Sequence, residues 1–277
     1  MTRKITHLYN KMAYYLWRVA EIHVYKIVIV TVGCYCLYRI SLLNLILFII
    51  LLFNLLIDGL TDSPKRIRAT FSGLFLVWVC LMTILTMVYQ LQFIDNPLIT
   101  NCTYLNNSHL DPFLEKNQDN LDYIGITKSD NIFENIKFYM LIFVILSIQK
   151  IIKVKSKYNR LKLGTTAPVY TILFEEITWK ELDQSIIKFF KYQVNFFFYK
   201  FGLEICFCMT SIVIITRMDA YALLYGIPLG IFLRLKRKTI RNLWMSYFVF
   251  LLFLLLIQYI ECVGLPPVLC YGKYHYI

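Results

Sequence analysis

Long apolar runs punctuated by short basic clusters constrain this chain more than any other feature. Seven runs, at 22–38, 42–57, 69–91, 132–152, 195–216, 220–233 and 242–262, carry few charges, and most Lys and Arg fall between them. A backbone in hydrocarbon must satisfy its own hydrogen bonds, so such runs fold as helices or closed barrels. Their length favours helices. Composition closes off the soluble alternative. Hydrophobic residues make up 58% of the 277 residues and charged residues 17%, against about 25% charged in ordinary globular chains. The sequence therefore predicts an all-α, multi-pass membrane protein.

The net charge of +12 does not point to nucleic acid, because the cations form no stripe interleaved with base-stacking aromatics. Their distribution sets an orientation instead. With residue 1 in the cytosol, the inner segments 1–21, 58–70, 152–194 and 234–241 hold twenty Lys and Arg, and the outer segments hold six. The positive-inside rule then places the N-terminus in the cytosol and the polar stretch 93–131 outside. That stretch contains two glycosylation acceptor patterns, Asn101-Cys-Thr103 and Asn106-Asn-Ser108, which makes Asn101 and Asn106 candidate glycosylation sites.

The expected organisation has six parts. Residues 1–21 read as a cytosolic amphipathic helix, with Leu8, Met12, Leu16 and Val19 at helical spacing. Residues 22–152 form a complete four-helix transmembrane unit with the extracellular loop 93–131, and 153–178 is a basic cytosolic linker. A second amphipathic helix at 179–194 is predicted at the membrane interface, with Lys180, Lys188 and Lys191 near the headgroups. Residues 195–262 supply three helices of a second, incomplete unit, and 263–277 forms an extracellular tail. A faint repeat motivates the units, since Tyr25-Lys26 and Tyr199-Lys200 each open a span after an amphipathic stretch, 174 residues apart. No Gly or Pro marks the turn at 39–41. The sixth run is 14 residues long, short for a hydrocarbon core about 30 Å thick.

Chemistry-bearing constellations are few. The pairs Cys34/Cys36 and Cys206/Cys208 lie in apolar runs with no His beside them, which predicts small hydrophobes and no metal site. No phosphate-binding loop, nucleophile elbow, dinucleotide fingerprint or zinc-protease motif occurs, so no catalytic residue, cofactor or enzyme activity is expected. Lys200 and Glu204, one turn apart in the fifth run, form a candidate intramembrane charge pair, or an exposed pair whose Lys reaches for the interface. Cys262 and Cys270 are a candidate disulfide across Gly-Leu-Pro-Pro, with Cys102 as a competing outer thiol. Gly226-Ile-Pro-Leu-Gly230 spells GxxxG with a proline inside it.

Several longer stretches carry a resemblance. Leu182–Phe207 (LDQSIIKFFKYQVNFFFYKFGLEICF), Arg217-Met-Asp-Ala-Tyr221, Leu243-Trp244 and Gln258–Tyr271 (QYIECVGLPPVLCY) look like the blade of Piezo mechanosensitive cation channels. So do Trp17–His23, Asn44-Leu45, Tyr89-Gln-Leu91, Asn101-Cys-Thr103 and Gly125–Lys128. The resemblance implies a homotrimeric plasma-membrane channel whose curved blades repeat four-helix units, each introduced by a cytosolic amphipathic helix. It implies that this chain senses membrane tension within one blade, in contact with the lipid bilayer and the remainder of the channel subunit. Nothing here resembles the family's pore, cap or beam, so the chain reads as a fragment of a longer subunit. Two rival readings stay open: a seven-helix receptor, which would place the N-terminus outside, and a small transporter, for which Glu204 is the lone carboxylate candidate.

Overall fold

The computed structural model describes residues 2–60, 65–90, 123–126, 132–164, 173, 174, 177 and 185–264. Among them the chain is all helical, with seven helices and no strand. These are α1 (Thr2–Tyr38), α2 (Leu42–Leu60), α3 (Lys65–Tyr89), α4 (Ile132–Leu163), α5 (Ile186–Arg217), α6 (Ala220–Arg234) and α7 (Arg237–Val263). Five segments are long and apolar enough to cross a membrane: Met12–Tyr38, Leu42–Leu60, Ile67–Tyr89, Ile186–Arg217 and Arg237–Val263. Two of the seven expected spans are not among these five. The apolar stretch of α4 is bracketed by Lys137 and Lys150. Helix α6 is 15 residues long, about 22 Å at 1.5 Å per residue.

The residues from the N-terminal amphipathic stretch into the first span form one unbroken helix. The 37 residues of α1 extend about 55 Å, well beyond a hydrocarbon thickness of about 30 Å. Chain contacts divide the molecule into two compact units, to which α1, α4 and α7 each contribute residues.

The larger unit comprises Tyr25–Lys150 and Val249–Ile277. Each helix in it buries one stripe at helical spacing: Val28, Val32 and Tyr35 on α1, Leu47, Phe48 and Leu51 on α2, Phe75, Val79 and Met82 on α3, and Tyr139, Ile142 and Leu146 on α4. Opposite faces are apolar too, with Val30, Phe53, Val77 and Ile84 all more than half exposed. Helices apolar on every side belong in lipid.

Two turns show how short connections hold here. At 39–41 the buried Ser41 caps α2, its Oγ accepting the Asn44 N–H at 3.3 Å, while Asn44 Nδ2 donates to the Arg39 carbonyl at 2.6 Å. Gly125 packs onto this cap. Its φ is +110°, and a Cβ there would stand 2.5 Å from Ser41 Oγ.

The second turn lies in the other unit, Met1–Val24 with Ile151–Phe248. Met218 closes α5 in the left-handed conformation (φ 48°), and Asp219 caps α6 by accepting the Ala222 N–H at 3.0 Å. Arg217 pairs with Asp219 at 3.4 Å and lies 5.5 Å from the Tyr221 ring centroid. Helix α6 buries Ala222, Tyr225, Leu229 and Phe232 along one face, and Phe232 meets Tyr247 of α7 with ring centroids 4.8 Å apart.

Gly125→Ala is expected to cost at least about 1–2 kcal/mol, through its positive φ and the Ser41 contact. Gly73→Ala, in open space inside α3, is expected to gain up to about 1 kcal/mol. Thermal unfolding of the purified chain in detergent measures both, and two shifts of the same sign would contradict this geometry.

Candidate functional site

Buried polar groups are the exceptional feature of an apolar helical array, because each must find a partner or pay for desolvation. In the larger unit, Tyr25 Oη donates to Asn54 Oδ1 at 2.7 Å, joining α1 to α2. Arg68 at the start of α3 forks onto Asp58 near the end of α2, with Nε–Oδ1 2.6 Å and Nη2–Oδ2 3.1 Å. Its guanidinium also lies 5.3 Å from the Tyr25 ring centroid. Side chains of α1, α2 and α3 therefore meet in a single cluster. Tyr259 of α7 stacks on Phe48 with centroids 4.4 Å apart and donates its hydroxyl to the Cys36 carbonyl at 3.0 Å. Tyr123 Oη donates to the Gly264 carbonyl at 3.0 Å.

The other unit has its own polar junction. Glu21 of α1 accepts from Ser156 Oγ of α4 at 2.6 Å and forms an ion pair with Arg160 one turn further along. The Glu21 and Arg160 side chains are 11% and 23% exposed, which shields the pair from solvent screening. Lys155 stands 4.8 Å from the Trp17 ring centroid and adds a second link between the same helices. The connecting segment is held nearby. Asn195 Oδ1 accepts the Leu173 and Phe174 N–H groups, both at 3.0 Å, while its Nδ2 donates to the Phe174 carbonyl at 2.8 Å. The Phe174 ring also meets Tyr15 of α1 at 5.3 Å.

The residues singled out from sequence fall differently. Glu204 pairs with Arg237 at the start of α7, and Lys200 Nζ lies over the Phe201 ring at 5.5 Å. No Lys200–Glu204 ion pair occurs among the described residues. The Glu204 and Arg237 side chains are 44% and 77% exposed, so the pair sits at the surface of the protein. Cys262 is exposed near the end of α7, while Cys270, Asn101 and Asn106 lie outside the described residues. Tyr25 and Tyr199, the residues that suggested an internal repeat, occupy opposite environments at 7% and 92% exposed.

Among the described residues no three His, Cys, Asp or Glu side chains gather into a metal site. The polar groups described above cap helices and join helix to helix. Sequence reading missed the Glu21–Ser156–Arg160 junction because its partners lie 135 and 139 residues apart. The available local signal was a single carboxylate placed just before the first apolar run.

Glu21→Ala strands the Arg160 guanidinium and is expected to cost about 1.5–3 kcal/mol. Glu204→Ala removes an exposed pair and should cost no more than about 1 kcal/mol. Chemical unfolding of the two variants in mixed micelles ranks them, and equal losses would contradict the assigned burial.

Comparison with known proteins places nearly the whole chain. Piezo-type mechanosensitive ion channel component 1 of Mus musculus is 33% identical over 274 residues, covering 94% of this chain and 10% of that protein. The Homo sapiens component 1 is 32% identical over 273 residues, again 94% and 10%. The Drosophila melanogaster Piezo-type component is 27% identical over 274 residues, 96% and 10%. No family model matches. The chain spans about a tenth of the length of these curated relatives.

Proposed function

We propose that this chain, a homologue of about one tenth of the Piezo-type mechanosensitive ion channel components, is part of a blade that senses membrane tension and biases a cation pore formed elsewhere. The alignment over 94% of the chain carries this reading. The helices support it physically, since their large apolar side chains face outward as well as inward.

Bilayer tension favours whichever conformation occupies more membrane area, so an array of packed helices that flattens can shift a closed–open equilibrium. The chain's residues then act by packing and lipid contact. The Glu21–Arg160 junction and the Asn195 clamp tie helix ends and linker together, which lets displacement pass from one helix to the next. In this reading 22–152 is one four-helix unit, 195–262 begins the next, and 179–194 lies at the interface.

The charge asymmetry supports a cytosolic N-terminus with 93–131 outside; this reading further puts the chain in the plasma membrane, with glycans at Asn101 and Asn106 and a Cys262–Cys270 bridge. The working assembly is a homotrimer of complete subunits, and Lys200 and Glu204 serve at the membrane edge.

The test replaces the matching segment of the Mus musculus component 1 with this chain and records stretch-evoked current in cells lacking their own. The chimera is expected to conduct with an altered half-activation pressure, and the 277-residue chain alone to reach membranes without stretch-evoked current. Current from the chain alone would contradict a pore located elsewhere. An unchanged pressure curve when the segment is instead replaced by unrelated apolar helices would contradict a tension-sensing role.

A further inference from the structure

Helix α6 and the last turn of α5 border an open groove of about 870 Å³ between Ile214 and Arg234. Its walls are apolar, with Ile214, Leu223, Ile227 and Ile231 among the lining side chains. Its floor is notched by glycine. A Cβ at Gly226 would only touch Ile214 Cδ1 at 3.9 Å, and one at Gly230 would meet nothing within 4 Å. Two small residues one turn apart leave a slot, and no described side chain fills it at Gly230.

The charges at the two ends differ. Near Met218 the groove ends at Asp219, already paired with Arg217. At the other end stands Arg234, which has no ion-pair partner among the described residues. The exposed Lys236, Lys238 and Arg241 follow it, and Arg237 is neutralised by Glu204. From Gly226 to Arg234 the helix rises about 12 Å, close to the ~15 Å of one leaflet's hydrocarbon. A single occupant can therefore meet both demands if it carries an anionic head and an apolar tail a leaflet long.

We propose that this groove is a binding site for an anionic phospholipid, with one acyl chain over the Gly226/Gly230 notch and the phosphate on Arg234. Charge complementarity selects the lipid over an apolar helix, which brings no anion to Arg234. A lipid held in this slot bridges α5 and α6 beside the left-handed turn at Met218.

The test reconstitutes the 277-residue chain into phosphatidylcholine vesicles. Traces of phosphatidylserine or phosphatidylcholine carrying a photoreactive acyl chain are added, and labelled peptides are mapped by mass spectrometry. Phosphatidylserine is expected to label the α5–α6 peptides at least fivefold more than phosphatidylcholine does. Gly230→Leu, whose side chain enters open space, should abolish most of that labelling, and Arg234→Gln should equalise the two lipids. Leu223→Trp fills the slot from its wall, and a matched helical circular dichroism signal confirms that each variant is folded. Equal labelling by both lipids in the unaltered chain would overturn the proposal. So would labelling indifferent to Gly230→Leu and Leu223→Trp.

Discussion

In hydrocarbon no hydrophobic effect draws helices together, so close packing and the few buried polar contacts decide which helices stand together. That constraint organises this chain. Each unit has an apolar interior that many arrangements of Leu, Ile and Phe would supply. What singles out one arrangement is Tyr25 on Asn54, Arg68 on Asp58, and Tyr259 on the Cys36 carbonyl. In the other unit the same office falls to Glu21 with Ser156 and Arg160, and to Asn195 with the backbone of Phe174.

The short connections obey a related rule. A turn between membrane helices exposes the backbone groups of two helix ends, and side chains must satisfy them. Ser41 and Asn44 do so for α1 and α2, and Met218 and Asp219 do so for α5 and α6. The motif Arg217-Met-Asp-Ala-Tyr221 thereby acquires a physical meaning: a left-handed C-cap, an N-cap, and an arginine held between a carboxylate and a ring.

Much of the fold was legible because its cause is local. Apolar runs announce membrane helices, and the boundaries at Tyr38 and Leu42 follow from Arg39-Ile-Ser41 even without glycine or proline, since Ser41 is itself a cap. Pairings were not legible, because they join residues distant in the chain. Lys200 and Glu204 have ideal helical spacing, yet Glu204 turns to Arg237, 33 residues away. The Tyr25/Tyr199 echo likewise concealed different surroundings, since burial depends on which helices pack alongside. The two runs outside the five long apolar segments are those where charge or length intervenes, at Lys137 and Lys150 of α4 and in the 15 residues of α6.

In the proposed lever, force passes through the contacts that keep its parts in register, and Glu21–Arg160 is the most sheltered ion pair among those described. The most direct measurement is the pressure–activation curve of the chimeric channel with and without Glu21→Ala, at matched surface expression. A lever role predicts a higher half-activation pressure for the variant with unitary conductance unchanged. Superimposable curves, or a changed conductance at unchanged pressure, would contradict it.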